Sequence, residues 1–221
     1  MNLQKMPVAR LGPIRLVPGV TTANAVTLLL AMFFVGILAP FINFAQPYIL
    51  TEHLAIPKHE QGTLSGNLAF WSEAVMILLA GVMGAWSDSA GRRFVFAFGL
   101  GIVAISCALY PLATTYHELL LYRLIYAVGM AAIGAMSIAL MAEYPANKSR
   151  GKLAALVGVI STLGVMFVIA VLAPLPAGFV AGGASALEAG RYAYWITAAI
   201  ALTGVLTTWF GLSRLEAVRT T

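Results

Sequence analysis

Two ionisable residues, Glu73 and Arg123, stand inside long apolar runs. A third group, Asp88 with Arg92 and Arg93, fills a short polar stretch between two such runs. An acid or arginine facing lipid near mid-bilayer costs about 2.5–3.5 kcal/mol on insertion scales, so Glu73 and Arg123 are expected to face protein or water. The chemistry open to such groups is proton exchange, recognition of a charged solute, or a structural clasp. Bond-making chemistry finds no residues to carry it. His53, His59 and His117 all lie outside the apolar runs, Cys107 is the single cysteine, and no Cys, His and acid cluster has metal-ligand spacing. The fragment Gly99-Leu100-Gly101 sits within an apolar run, where it reads as a packing feature, and no Gly-x-x-x-x-Gly-Lys-Ser/Thr phosphate loop occurs. No enzyme activity, metal or cofactor is expected.

The elements that must position these charges are membrane helices. Of the 221 residues, 61% are hydrophobic and 10% charged, against about a quarter charged in soluble domains. A helix needs about 20 apolar residues to cross the hydrocarbon. Six segments qualify, at about 25–50, 62–86, 93–114, 118–142, 152–178 and 191–213. They are too long and too uniformly apolar for barrel strands. The expected organisation is a cytoplasmic tail over 1–22, a six-helix domain over 23–214, and a cytoplasmic end, or the start of a linker, over 215–221. Thr21, Thr22 or Asn24 is expected to cap the first helix. The N-terminus is not a secretory signal, because its apolar run starts late and is too long.

Orientation follows from the basic residues. Lys5, Arg10, Arg15, Arg92, Arg93, Lys148, Arg150, Lys152, Arg214 and Arg219 fall on one set of ends and loops, and Lys58 and Arg191 on the other. That asymmetry predicts that both termini are cytoplasmic. It also accounts for the net charge of +5 without a nucleic-acid partner. Tyr48, Tyr116, Tyr192, Tyr194 and Trp195 are expected at the outer interface. On the second span, Gly84 lies about 20° from Glu73 around the helix. Gly66, Ala69 and Ala80 share that stripe, which predicts a helix-contact face holding a buried Glu73, open unless a partner covers it. Asn43, Gln46, Asn67, Arg123, Ser137 and Ser161 are expected to face a cavity.

The stretch Gly84-x-x-x-Asp88-x-x-Gly91-Arg92-Arg93 resembles the signature loop between the second and third helices of the major facilitator superfamily. Tyr122 to Ala135, an Arg followed by small residues, is similar to the family's fourth-helix pattern. Its first glycine comes six residues after Arg123, where the family usually has four. Ala142 to Lys152 resembles the loop that follows that helix. The resemblance implies an all-α fold of six transmembrane helices, as two inverted three-helix repeats forming the N-terminal half of such a transporter. It implies secondary-active transport of a small organic solute through a bacterial inner membrane. The other half would be a second six-helix unit, a second copy or another membrane subunit. Arg123, Glu73, Asn43, Gln46 and Asn67 would serve substrate binding or proton coupling. Gly84, Asp88, Gly91, Arg92, Arg93, Glu143 and Arg150 would form a cytoplasmic gate. The first span has no acid and the fifth no Gly-Pro signature, so no subclass is indicated, and Arg123 leans toward an anionic solute. The alternative is a non-transporting six-helix subunit or assembly factor of a larger membrane complex.

Overall fold

The computed structural model describes residues 9–213. Lys5, Arg214, Arg219 and the expected C-terminal segment 215–221 lie outside the described residues. The described residues are all-α apart from one small hairpin, and six of their helices are long and apolar enough to cross a membrane.

Each boundary has a local cause. Helix α1 (Thr22–Tyr48) is capped by Thr21, whose side chain accepts from Asn24 N at 3.1 Å, while the Asn24 side chain returns to Thr21 N at 3.0 Å. Asn24 also donates to Gly211 O at 2.8 Å, tying the start of the first span to the end of the last. Pro40 and Pro47 lie within α1, which runs on as a π-helical turn over Ile49–His53. Proline lacks the N–H that would continue the four-residue repeat. Helix α2 (Lys58–Ala90) ends at Gly91, whose φ of 90° makes the reversal into α3 (Arg92–Leu109). That left-handed backbone is open to glycine at little cost. A 3-10 turn (Tyr110–Leu112) closes the third span, and α4 (Tyr116–Glu143) follows, capped by Thr115.

The fifth span is not one uninterrupted helix. Helix α5 (Arg150–Phe167) passes into a π-helical turn (Val168–Leu172), and a short α6 (Leu175–Ala181) follows Pro174. The sixth span, α7 (Ala186–Gly211), starts before the expected residue 191. Ser185 and Glu188 form a capping box there, a Ser-x-x-Glu signal legible in the sequence.

Helix neighbours run in the order α2, α4, α3, α7, α1, α5, with α1 also touching α4. Exchanging the first three spans for the last three reverses that order and leaves its content unchanged. Glycines set two crossings. A Cβ on Gly99 would stand 2.8 Å from Gly129 O, and one on Gly129 would stand 2.7 Å from Gly99 O, so α3 and α4 meet backbone to backbone. Gly36 and Gly164 do the same for α1 and α5. Helices α2 and α5 are the outermost: 17% and 22% of their spans is buried, against 39–61% in the others.

Residues 10–20 of the segment expected as a cytoplasmic tail fold onto the bundle. Strands β1 (Arg10–Leu11) and β2 (Ile14–Arg15) form an antiparallel hairpin. It docks through Arg15 N to Ser149 Oγ at 3.0 Å, Ala146 N to Arg15 O at 2.9 Å and Val17 N to Tyr144 O at 3.0 Å, with Ile14, Leu16 and Val20 buried. Tyr194, expected among the interfacial aromatics, faces the protein interior. It is 1% exposed and stacks on Tyr110 at 5.3 Å, because its face of α7 turns toward α3 rather than outward.

Candidate functional site

Three helices converge on one guanidinium. Arg123 lies two turns into α4 and is 4% exposed. Its Nη1 donates to Gln46 Oε1 at 3.2 Å and its Nη2 to Asn43 Oδ1 at 2.5 Å. Asn43 and Gln46 are three residues apart, so they share one face of α1. The Nε donates to Ser72 Oγ at 3.1 Å, and that hydroxyl gives its own proton to Leu68 O on α2, leaving a lone pair for the arginine. Tyr110 Oη donates to the same Gln46 oxygen at 3.3 Å. The Tyr126 ring lies 5.8 Å from the guanidinium carbon, and its hydroxyl is held by Leu38 O at 2.8 Å.

Every acceptor in this cluster is neutral. Among the described residues, no carboxylate lies within ion-pair distance of Arg123. Hydrogen bonds from a charged donor contribute about 1.5–3 kcal/mol each, which offsets desolvation but leaves the positive charge uncompensated. Such a centre attracts an anion.

The other expected binding residues do not join it. Glu73 follows Ser72 in α2 but turns about 100° away, so it is exposed, and Asn67 is exposed as well. The buried acid expected at Glu73 is therefore absent from this chain's own packing. The stripe is open: Gly66, Glu73 and Ala80 are exposed, and a Cβ on Gly66 or Gly84 would touch nothing. Ser137 donates to Ile133 O within its own helix, and Ser161 to Met32 O, so both are satisfied by backbone. Sequence reasoning passed over Ser72, Tyr110 and Tyr126. A hydroxyl beside the only acid of an apolar span was a signal for Ser72. The two tyrosines gave none, being ordinary aromatic residues of apolar helices.

The second cluster lies at the end of the molecule that carries the hairpin. Arg92 opens α3 and reaches back to Asp88 Oδ1 at 2.8 Å and across to Glu143 Oε1 through Nη2 at 2.9 Å and Nε at 3.1 Å. It also donates to Ser87 Oγ. One arginine thus braces the ends of α2, α3 and α4. Gly91 makes this possible by turning the chain within one residue. Arg93 and Arg150 stay outside the cluster. The Arg93 guanidinium lies 5.0 Å over the Trp209 ring, because the next residue along α3 faces α7, and Arg150 is exposed at the start of α5. Gly84 lies one turn back along α2 with open space beside it.

The family model described as Major Facilitator Superfamily matches residues 24–221. No curated protein matches the chain.

Proposed function

The chain belongs to the major facilitator superfamily, and from that premise we propose that it is one half of a secondary transporter, moving a small organic solute with an anionic group by alternating access. The family carries solutes across membranes, and the chain is an integral, multi-pass membrane protein of six apolar helices. The observation that carries the finer reading is the Arg123 cluster: a buried cation held by Asn43, Gln46 and Ser72 and, among the described residues, paired with no acid. Asn43 is exposed beside the buried guanidinium, so a solute anion has a route of approach along α1. Glu73, which follows Ser72 on α2 and faces outward, is the second candidate for proton coupling.

The reversible helix order supports the inverted-repeat arrangement, in which each outermost helix packs on the first helix of the other repeat. Both ends of the described chain and the connections after α2 and α4 gather at one end, which supports cytoplasmic termini. The Arg92 bridge is then a brace of the inner end. The thin packing of α2 and α5, and an acid exposed on α2 among Phe70, Ile77 and Leu78, support a second half over that side. Glu73 left on lipid would cost about 2.5–3.5 kcal/mol.

The test is uptake by proteoliposomes holding the intact natural protein, over a panel of labelled organic acids, sugars and amines. An organic acid is expected to accumulate, and Arg123→Gln to abolish its uptake. No uptake from any class, by a protein that co-purifies in fixed ratio with a different membrane protein, would favour the non-transporting subunit instead.

A further inference from the structure

A basic pocket opens where the N-terminal hairpin meets the connection between α4 and α5. It shares no residue with the Arg123 cluster or the Arg92 bridge. Arg10, Gly12, Pro13 and Arg15 form one wall and Lys148, Ser149 and Lys152 the other, around a cavity of about 380 Å³. Four of these seven residues are cations and none is an acid. Among the described residues, none of the four cations enters an ion pair.

The cations are gathered by folding, since 134 residues separate Arg15 from Ser149. The hairpin turns at Gly12, with φ of 55°, and is then fixed by the Arg15–Ser149 and Ala146–Arg15 hydrogen bonds and by the pairing of Leu16 with Pro145. Positive-inside topology asks only for cations in loops, where they can spread into water. It does not ask for a hairpin that folds back and holds four of them around one concavity against their mutual repulsion. The position is also specific. The fifth span begins at Asn147 and the first at Thr22, so the pocket sits where a helix enters the membrane. Arginine forks and lysine ammonium groups together suit the oxygens of a phosphate.

We propose that this pocket binds a phosphate group, carried by an anionic lipid or by a free phosphate in the aqueous phase. A bound phosphate would bridge the hairpin to the α4–α5 connection, clamping the start of the first span onto the second three helices. Arg10 and Arg15 supply the forks, and Lys148 and Lys152 close the opposite side.

Native mass spectrometry of the full-length protein in detergent tests this, with phosphatidylglycerol, phosphatidylcholine and inorganic phosphate as probes. The variant is Lys148→Gln/Lys152→Gln, because neither side chain takes part in the hydrogen bonds that dock the hairpin. Phosphatidylglycerol should be retained over phosphatidylcholine, and retention should fall roughly tenfold or more in the variant. Displacement of the lipid by millimolar inorganic phosphate identifies free phosphate as the source, and retention through that challenge identifies the lipid. The charge-keeping variant Lys148→Arg/Lys152→Arg should bind as the wild type does. Equal retention in the Gln variant, loss in the Arg variant, or no preference for phosphatidylglycerol together with no phosphate adduct would overturn the proposal.

Discussion

Arg123 is held by groups that solvate a charge without cancelling it, and this separates its contribution to stability from its contribution to transport. Removing the guanidinium removes its desolvation cost, and the groups it leaves are not orphaned: Gln46 Oε1 still accepts from Tyr110, Ser72 still donates to Leu68 O, and Asn43 is exposed. Arg123→Met is therefore expected to insert normally and to melt at or slightly above the wild-type temperature, while uptake by the intact protein is lost. A melting point lowered together with expression would instead mark Arg123 as a structural clasp. Arg92 behaves differently. Its two carboxylate partners are 62% and 40% exposed, and partly exposed pairs are worth only about 0.2–1 kcal/mol each. Arg92→Gln, which loses both pairs, should cost roughly 0.4–2 kcal/mol of stability. The larger expected effect is on the inner ends of α2 and α4, which lose their brace. A cysteine at Ser89 should become more reactive to a cytoplasmic thiol reagent in that background, and unchanged reactivity would count against a gating role.

At the scale of the helices, close approach rather than hydrophobic attraction holds the bundle together, since lipid is as apolar as a leucine side chain. The α3–α4 crossing depends on two facing glycines, and a methyl at either would meet a backbone carbonyl that has no freedom to move aside. Gly99→Ala is expected to destabilise by about 1–3 kcal/mol through overpacking. Gly101→Ala, two residues along the same helix with open space around it, should be close to neutral. Thermal unfolding of the two variants in detergent compares them directly. Similar loss in both would mean that the cost lies in helix backbone effects and not in the crossing.

For the whole molecule, topology and partnership can be tested together. In a Cys107→Ser background, cysteines at Ser89 and Arg150 should react from the cytoplasmic side and cysteines at His59 and His117 from the outside, all four positions being exposed. Labelling of Ser89 and His117 from the same side would defeat the six-span topology. The open face of α2 predicts that Gly84→Leu leaves the six-helix unit inserted and folded, because a Cβ there meets nothing within 4 Å among the described residues. Cross-linking to a second half or second copy in native membranes should drop in that variant. A yield equal to wild type would place any partner elsewhere on the surface.

The sequence alone determined whatever depends on local composition and spacing. Six apolar runs of membrane length, the asymmetry of basic residues between loops, the Gly91 reversal and the motif around Asp88 were all legible. Each is written in consecutive residues, and the bilayer leaves an apolar run few choices beyond a helix. Asn43, Gln46 and Arg123 were legible as polar residues in apolar surroundings. The tertiary structure decided which polar groups meet. Ser72 and not its neighbour Glu73 reaches Arg123, because one residue along a helix turns a side chain by about 100°. Arg92 and not Arg93 bridges the acids for the same reason. The docking of residues 10–20 on the α4–α5 connection could not be read from a polar N-terminal stretch. Its hydrogen bonds join backbone and side-chain groups more than a hundred residues apart, and no periodicity in either segment records that pairing.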